Sequence, residues 1–205
     1  MTVWTISAQE GTGGGRLAAE LAAAAGVPLF DREALAAIAH ERDPALPELV
    51  DLEARFGRFT MLSLSAALSV GSVEAFQEVE LRHNLPTLGR AILGDAARWP
   101  CVIYLPAAFT ALQDHPAAIH VRLCAPLESR VATYQREHLV DRRCAEKALR
   151  HADHRTQVWV KSLYHADIDD ARRYSLVLDV SRFSPDRLVE TLLAAGGVET
   201  ELVSA

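Results

Sequence analysis

Gly11-Thr12-Gly13-Gly14-Gly15-Arg16 is the segment of this chain best suited to chemistry by residue type alone. Glycines let consecutive backbone N–H groups converge on one point, and a helix starting beside them adds partial positive charge. Such a loop cradles phosphate. The complete pattern G-x-x-x-x-G-K-[ST] also supplies a lysine for the terminal phosphates and a hydroxyl for Mg²⁺. Here Gly14-Gly15-Arg16-Leu17 stands at that ending. Arg16 can meet phosphate as a planar fork rather than a slim point charge, and Leu17 cannot ligate a metal. The same residues would also serve as a plain tight turn.

The absent lysine belongs to a wider pattern. Of the 21 basic residues only Lys147 and Lys161 are lysines. Phosphate chemistry in the N-terminal half must therefore rest on arginine. Arginines cluster from Arg130 to Arg155, including Arg142, Arg143 and Arg150. They fit either an anion site or a solvated helix face with i,i+4 pairs. Asp31-Arg32 fits either a phosphate-orienting pair or a helix cap with an exposed arginine. His151, Asp153 and His154 have helical spacing but no HExxH pattern or third ligand, so no protein-borne metal site is expected. No G-x-S-x-G nucleophile motif is present. Trp159, Leu163 and Tyr164 read as core or interface. Cys101, Cys124 and Cys144 lack CxxC or zinc spacing and read as buried thiols.

Composition narrows the class. A chain of 205 residues, half apolar, fits one globular domain. A net charge of −6 argues against nucleic-acid binding. The apolar stretch Leu17–Ala25 is too short to span a bilayer, and Met1–Ser7 has no signal-peptide character. A cytoplasmic protein is expected, with no membrane partner.

Around these residues the pattern predicts alternating elements. Thr2–Ser7 reads as a strand, the glycines as irregular loop, and Arg16–Ala25 as a helix closed by Gly26. Val27–Phe30 is a second short strand, and Asp31 caps a helix from Arg32 to Arg42. Residues 48–97 are mostly helical, with an apolar run at Met61–Val70 that suits a buried helix or a dimer contact. Cys101–Tyr104, Ile119–Ala125 and Leu176–Val180 read as further strands. Leu127–Arg136, a segment from Asp141 to Lys161, and Pro185–Ala195 read as helices. Short apolar strands alternating with helices predict a three-layer α/β fold, a parallel sheet with helices on both faces. Right-handed crossovers would put the glycine loop at the carboxyl edge of the first strand.

Several strings resemble the cytidylate kinase-like family of P-loop proteins. They are Thr5-Ile6-Ser7 with the glycine loop, Ala25–Arg32 (AGVPLFDR), Ile119–Arg130 (IHVRLCAPLESR), Ala145-Glu146-Lys147, Asp153, and Arg173–Val177. The resemblance implies a P-loop kinase fold, with a monophosphate-binding lobe near residues 43–97 and an arginine-rich lid near 130–165. It implies transfer of a phosphoryl group from ATP–Mg²⁺ to CMP or dCMP. In that reading Gly11, Thr12, Gly13, Gly14, Gly15, Asp31, Arg32 and Arg130 bind nucleotide or phosphate, while Arg16, Arg143, Asp153 and Arg155 serve catalysis.

The departures fall on the phosphate-handling residues. Gly15 stands where the family has a basic residue, with Arg16 one place late, which turns the side chain about 100° around a helix. Leu105-Pro106-Ala107-Ala108 replaces a Gly-Arg-Gly type turn that meets the acceptor. Thr156, Glu137 and Asp179 stand at two basic positions and one asparagine. Losing one strong electrostatic contact costs about 10²–10³ in rate. The second reading is therefore a catalytically degenerate member, acting as a nucleotide sensor or as a dimeric scaffold through the central apolar helices.

Overall fold

The computed structural model describes residues 1–42, 87 and 89–198 of the chain. Five strands form one sheet: β1 (Val3–Ala8), β2 (Leu29–Phe30), β3 (Cys101–Tyr104), β4 (Ala118–Cys124) and β5 (Leu176–Asp179). Their spatial order is β2-β3-β1-β4-β5, and every pairing is parallel. Helices α1 (Gly14–Ala25), α2 (Arg32–Arg42), α3 (residues 89–96), α4 (Ala108–Ala111), α5 (Leu127–His138), α6 (Arg142–Tyr164) and α7 (Pro185–Ala195) make up the outer layers. The expected three-layer α/β architecture is thus the observed one.

Strand periodicity splits the core in two, because alternate residues face opposite sides. Trp4, Ile6, Val102, Val121 and Leu123 pack with Leu17 and Leu21 of α1 and Leu188 and Leu192 of α7. Val3, Cys101 and Ile103 face the other way, against Leu35 of α2 and Ile92 and Leu93 of α3. At about 25 cal/mol per Å² of buried apolar area, these two layers dominate the stabilisation.

Element ends follow recognisable chemistry. The Ala34 amide donates to Asp31 Oδ1 at 3.0 Å, and the Cys144 amide to Asp141 Oδ1 at 2.8 Å, so both aspartates cap as anticipated. Gly26 takes φ +64° and its N–H closes on the Ala22 and Ala23 carbonyls. Three expectations need correction. Gly14 and Gly15 are helical rather than loop, because Gly13 at φ +72° already occupies the N-cap. The short helix α4 was not foreseen. Cys101 is buried, but Cys124 is half-buried and Cys144 is exposed, since the cap at Asp141 holds Cys144 on the outer face of α6.

Trp159 and Tyr164 pack against Val160, Ala166 and Ile168, consistent with a core role. Met61–Val70 and most of the 43–97 lobe lie outside the described residues. Among the described residues no helix is long and apolar enough to cross a membrane.

Candidate functional site

The glycine loop leaves β1 at its carboxyl edge and closes on itself where the Thr12 N–H donates to the Gln9 carbonyl at 3.3 Å. The Gln9 amide continues the β1–β4 ladder by donating to the Leu123 carbonyl at 3.0 Å. The Thr12 hydroxyl turns inward and donates to the Gln9 carbonyl at 2.6 Å. Gly11 adopts φ +78°, and a Cβ there would meet the Arg130 carbonyl at 3.1 Å. A side chain is therefore disfavoured by conformation and would crowd its neighbours. Helix α1 has no side-chain cap and no acidic residue in its first turn, so its N-terminal N–H groups are open to an anion.

Two cavities flank this loop. The larger, about 610 Å³, is lined by Glu10, Gly15, Asp31, Arg32, Glu33, Tyr104, Pro106, Arg122, Asp153, Arg155, Thr156 and Gln157 among others. The smaller, about 460 Å³, is lined by Gly11, Thr12, Gly13, Arg16, Glu20, Ser129, Thr133, Arg136 and Ser181 among others. The loop is the partition between them. Gly15 faces the first cavity and Arg16 the second, as one residue of helical rotation requires. Arg16 is exposed, and its Nε pairs with Glu20 at 3.4 Å.

Asp31, Arg32, Asp153 and Arg155, which sequence reasoning singled out from distant segments, converge on the larger cavity. Arg130 stands behind it, 5% exposed. Its Nη1 donates to Asp153 Oδ2 at 2.8 Å and to the Glu10 carbonyl at 3.2 Å, and its Nε to the Ala125 carbonyl at 3.1 Å. One guanidinium thus fastens the glycine loop to α6. Arg143 is exposed in the first turn of α6 and lines neither cavity. Ten residues of helix, about 15 Å of rise, separate it from Asp153.

Two further residues of the larger cavity were not anticipated. Tyr104 sits under the start of α1, where a Cβ on Gly15 would meet its ring at 3.4 Å. Burial raises the Tyr104 phenol above its usual pKa, the Glu10 carboxylate adds to the rise, and Arg32 opposes it. The compact apolar string around Tyr104 concealed this role.

Arg122 is the second. Thr5 and Ser7 of β1 lie in register with His120 and Arg122 of β4, and all four are buried. They form a polar stripe on one face of the sheet. His120 Nδ1 and Thr5 Oγ1 are 2.7 Å apart, and the Ser7 hydroxyl donates to the Pro106 carbonyl at 2.8 Å. A charged residue in a strand covered on both sides must meet a carboxylate or a ligand. That rule was the available signal for Arg122.

Among the described residues no three His, Cys, Asp or Glu side chains converge as a metal cage. Asp31 is spent on capping α2 and Asp153 on Arg130, and residue 17 offers no hydroxyl.

Comparison with solved structures places this geometry among known folds. An uncharacterized protein from Eubacterium ventriosum ATCC 27560 superposes with TM-score 0.71 at 15% identity, covering 97% of this chain and 100% of that one. A gluconokinase from Sinorhizobium meliloti 1021 gives TM-score 0.57 at 15% identity, covering 96% and 91%. TT1252 from Thermus thermophilus gives 0.52 at 21% identity, covering 95% and 97%. These likenesses concern the fold. A search among curated proteins finds no significant sequence match. The family model described as the cytidylate kinase-like family matches residues 3–182, which spans the glycine loop, the larger cavity and all five strands. The chain belongs to the cytidylate kinase-like family.

Proposed function

We propose that this protein transfers the γ-phosphoryl group of ATP to a nucleoside monophosphate, CMP or dCMP. The observation that carries the reading is the glycine loop standing between two cavities, with the open N-terminus of α1 at the partition. Phosphoryl transfer asks little covalent chemistry of a protein. It asks that donor and acceptor meet in line across a phosphate-holding element, with charge neutralised around them.

In this reading the N–H groups of Gly11 and of residues 13–16 hold the donor phosphates, the Thr12 N–H being given to the Gln9 carbonyl. Arg16 approaches the donor from the smaller cavity rather than standing at the transfer point. Asp31 fixes the start of α2 and so presents Arg32 to the acceptor. Arg155 faces the transferred group from α6, and Arg130 keeps α6 against the loop. Arg143 takes no part in this arrangement. As transfer proceeds, the bond from the γ-phosphorus to its bridging oxygen breaks while the acceptor oxygen bonds to phosphorus. The arginines and helix N-terminus stabilise the charge on the equatorial oxygens.

A coupled ADP-release assay with ATP–Mg²⁺ against CMP, dCMP and UMP tests the proposal. Turnover above an Arg155→Ala comparator is expected with CMP or dCMP. Turnover equal to that comparator for all three ends the kinase reading.

A second reading, a nucleotide sensor or scaffold without turnover, draws on one feature. The larger cavity is lined by Glu10, Asp31, Glu33 and Asp153 against Arg32, Arg122 and Arg155, an acidic balance for a phosphate site. Calorimetry separates its forms. ATP or CMP binding without turnover marks a sensor, and absence of both marks a scaffold.

A further inference from the structure

Arg122 carries a charge that the protein only partly answers. The side chain is 7% exposed. Its Nη2 donates to Asp169 Oδ1 at 2.8 Å, and Asp169 Oδ2 accepts in turn from Gln157 Nε2 of α6 at 2.7 Å. The remaining terminal nitrogen, Nη1, is buried and has no hydrogen-bond partner in the protein. A buried guanidinium has five donors to satisfy, and leaving one unmet is costly. Asp169 does not screen the charge well either, because its side chain is 43% exposed.

The position is informative. Arg122 lines the larger cavity with Tyr104, Pro106, Arg155 and Gln157. Its in-register neighbour Ser7 binds the Pro106 carbonyl, so the uncharged turn after β3 and the charged residue of β4 belong to one wall. Other polar groups in the stripe are provided for: Thr5 has His120, and Ser7 has Pro106. Only Arg122 retains an unmet donor among the buried side-chain nitrogens and oxygens described.

We propose that Arg122 is the anion anchor of the larger cavity, its Nη1 binding an oxygen of a phosphate or carboxylate carried by the acceptor. This assignment rests on reading that cavity as the acceptor half. Asp169 and Gln157 are positioning residues, because they fix one edge of the guanidinium and leave the other for the ligand. The same pairs connect the anchor to α6, so the acceptor's anion and the helix that bears Arg155 share one hydrogen-bonded chain.

The test is calorimetric titration of the full chain with CMP, with uncharged cytidine, with gluconate as a carboxylate probe, and with ATP in parallel. Wild type, Arg122→Lys and Arg122→Met are compared. Arg122→Lys retains a cation for Asp169 and removes the second terminal nitrogen of the planar fork, so it remains informative should Arg122→Met fail to fold. Arg122→Lys is expected to weaken binding of the cognate anion about tenfold or more, leaving cytidine and ATP affinities unchanged. Loss confined to CMP identifies a phosphate, and loss confined to gluconate a carboxylate. Equal affinity of wild type and Arg122→Lys for every anionic acceptor, or no binding of either at millimolar concentration, overturns the proposal. Failure of ATP to bind while Arg122-dependent anion binding persists overturns the kinase reading and leaves the anchor standing.

Discussion

Arg130 Nη1 lies 2.8 Å from Asp153 Oδ2, and this contact ties α6 to the glycine loop. Arg130 follows β4, Asp153 sits midway along α6, and the same nitrogen reaches the Glu10 carbonyl. Breaking a buried pair leaves an uncompensated charge and costs about 3–5 kcal/mol. Because Asp153 is 22% exposed, Arg130→Ala is expected near the lower end, about 3 kcal/mol. Urea denaturation at neutral pH measures this, and a loss below about 1 kcal/mol would show that the contact is not structural.

Gly15 leaves room for the basic residue that it lacks. A Cβ there meets Tyr104 Cε1 at 3.4 Å, an ordinary contact, and no left-handed φ stands in the way. Gly15→Lys should also favour α1 by roughly 1 kcal/mol, through lower backbone entropy of the unfolded chain. Its ammonium would enter the larger cavity. ATP turnover is expected to rise at least about tenfold, within the range a single electrostatic contact commands. Unchanged turnover in a well-folded variant would mean that Tyr104 blocks the path.

Arg16 and Arg155 should separate kinetically, since the loop places them in different cavities. Arg16→Ala is expected to raise KM for ATP several-fold with kcat nearly unchanged, the signature of lost uniform binding. Arg155→Ala is expected to lower kcat by about 10². Steady-state kinetics with both substrates varied decides this, and the reverse pattern would place the transfer point in the smaller cavity.

His120 gives a pH dependence of stability. Its pKa lies below the usual 6.5, chiefly through burial, with His115 acting the same way and a Leu112 backbone hydrogen bond opposing. The folded chain therefore holds His120 neutral where the unfolded chain protonates. Below about pH 6.5 the unfolded state binds more protons, so stability falls with falling pH and is level above that value. Asp141, Asp170 and Asp179 are all shifted below 3.8, and their contributions fade only at lower pH. Thermal melts from pH 8 to 5 should show Tm dropping below pH 6.5, with His120→Asn flattening that slope.

Most of the elements were legible in the sequence, although Gly14 and Gly15 joined α1 and the short helix α4 was not foreseen. Strand alternation, the caps at Asp31 and Asp141, and the left-handed Gly26 are local properties, set by side-chain period and backbone sterics over a few residues. Family strings at both ends of the chain then pointed to a parallel P-loop sheet, with the glycine loop at the carboxyl edge of its first strand because crossovers are right-handed; the strand order β2-β3-β1-β4-β5 came from the structure. They also brought Asp31, Arg32, Asp153 and Arg155 into one expected site.

Tertiary structure alone decided where charge is spent. Gly13 as N-cap set the rotation of α1, and that rotation sent Arg16 to the far side of the loop from Gly15. Register between β1 and β4 put Arg122 beside Ser7 and buried it. The chain's return after α6 supplied Asp169 to one side of Arg122 and nothing to the other. These outcomes depend on segments far apart in sequence, whose relative placement comes from packing two apolar faces of one sheet. The shortage of lysine indicated that arginine must carry the phosphate chemistry; only the packed sheet indicated which buried arginine, among the described residues, has a donor unmet by the protein.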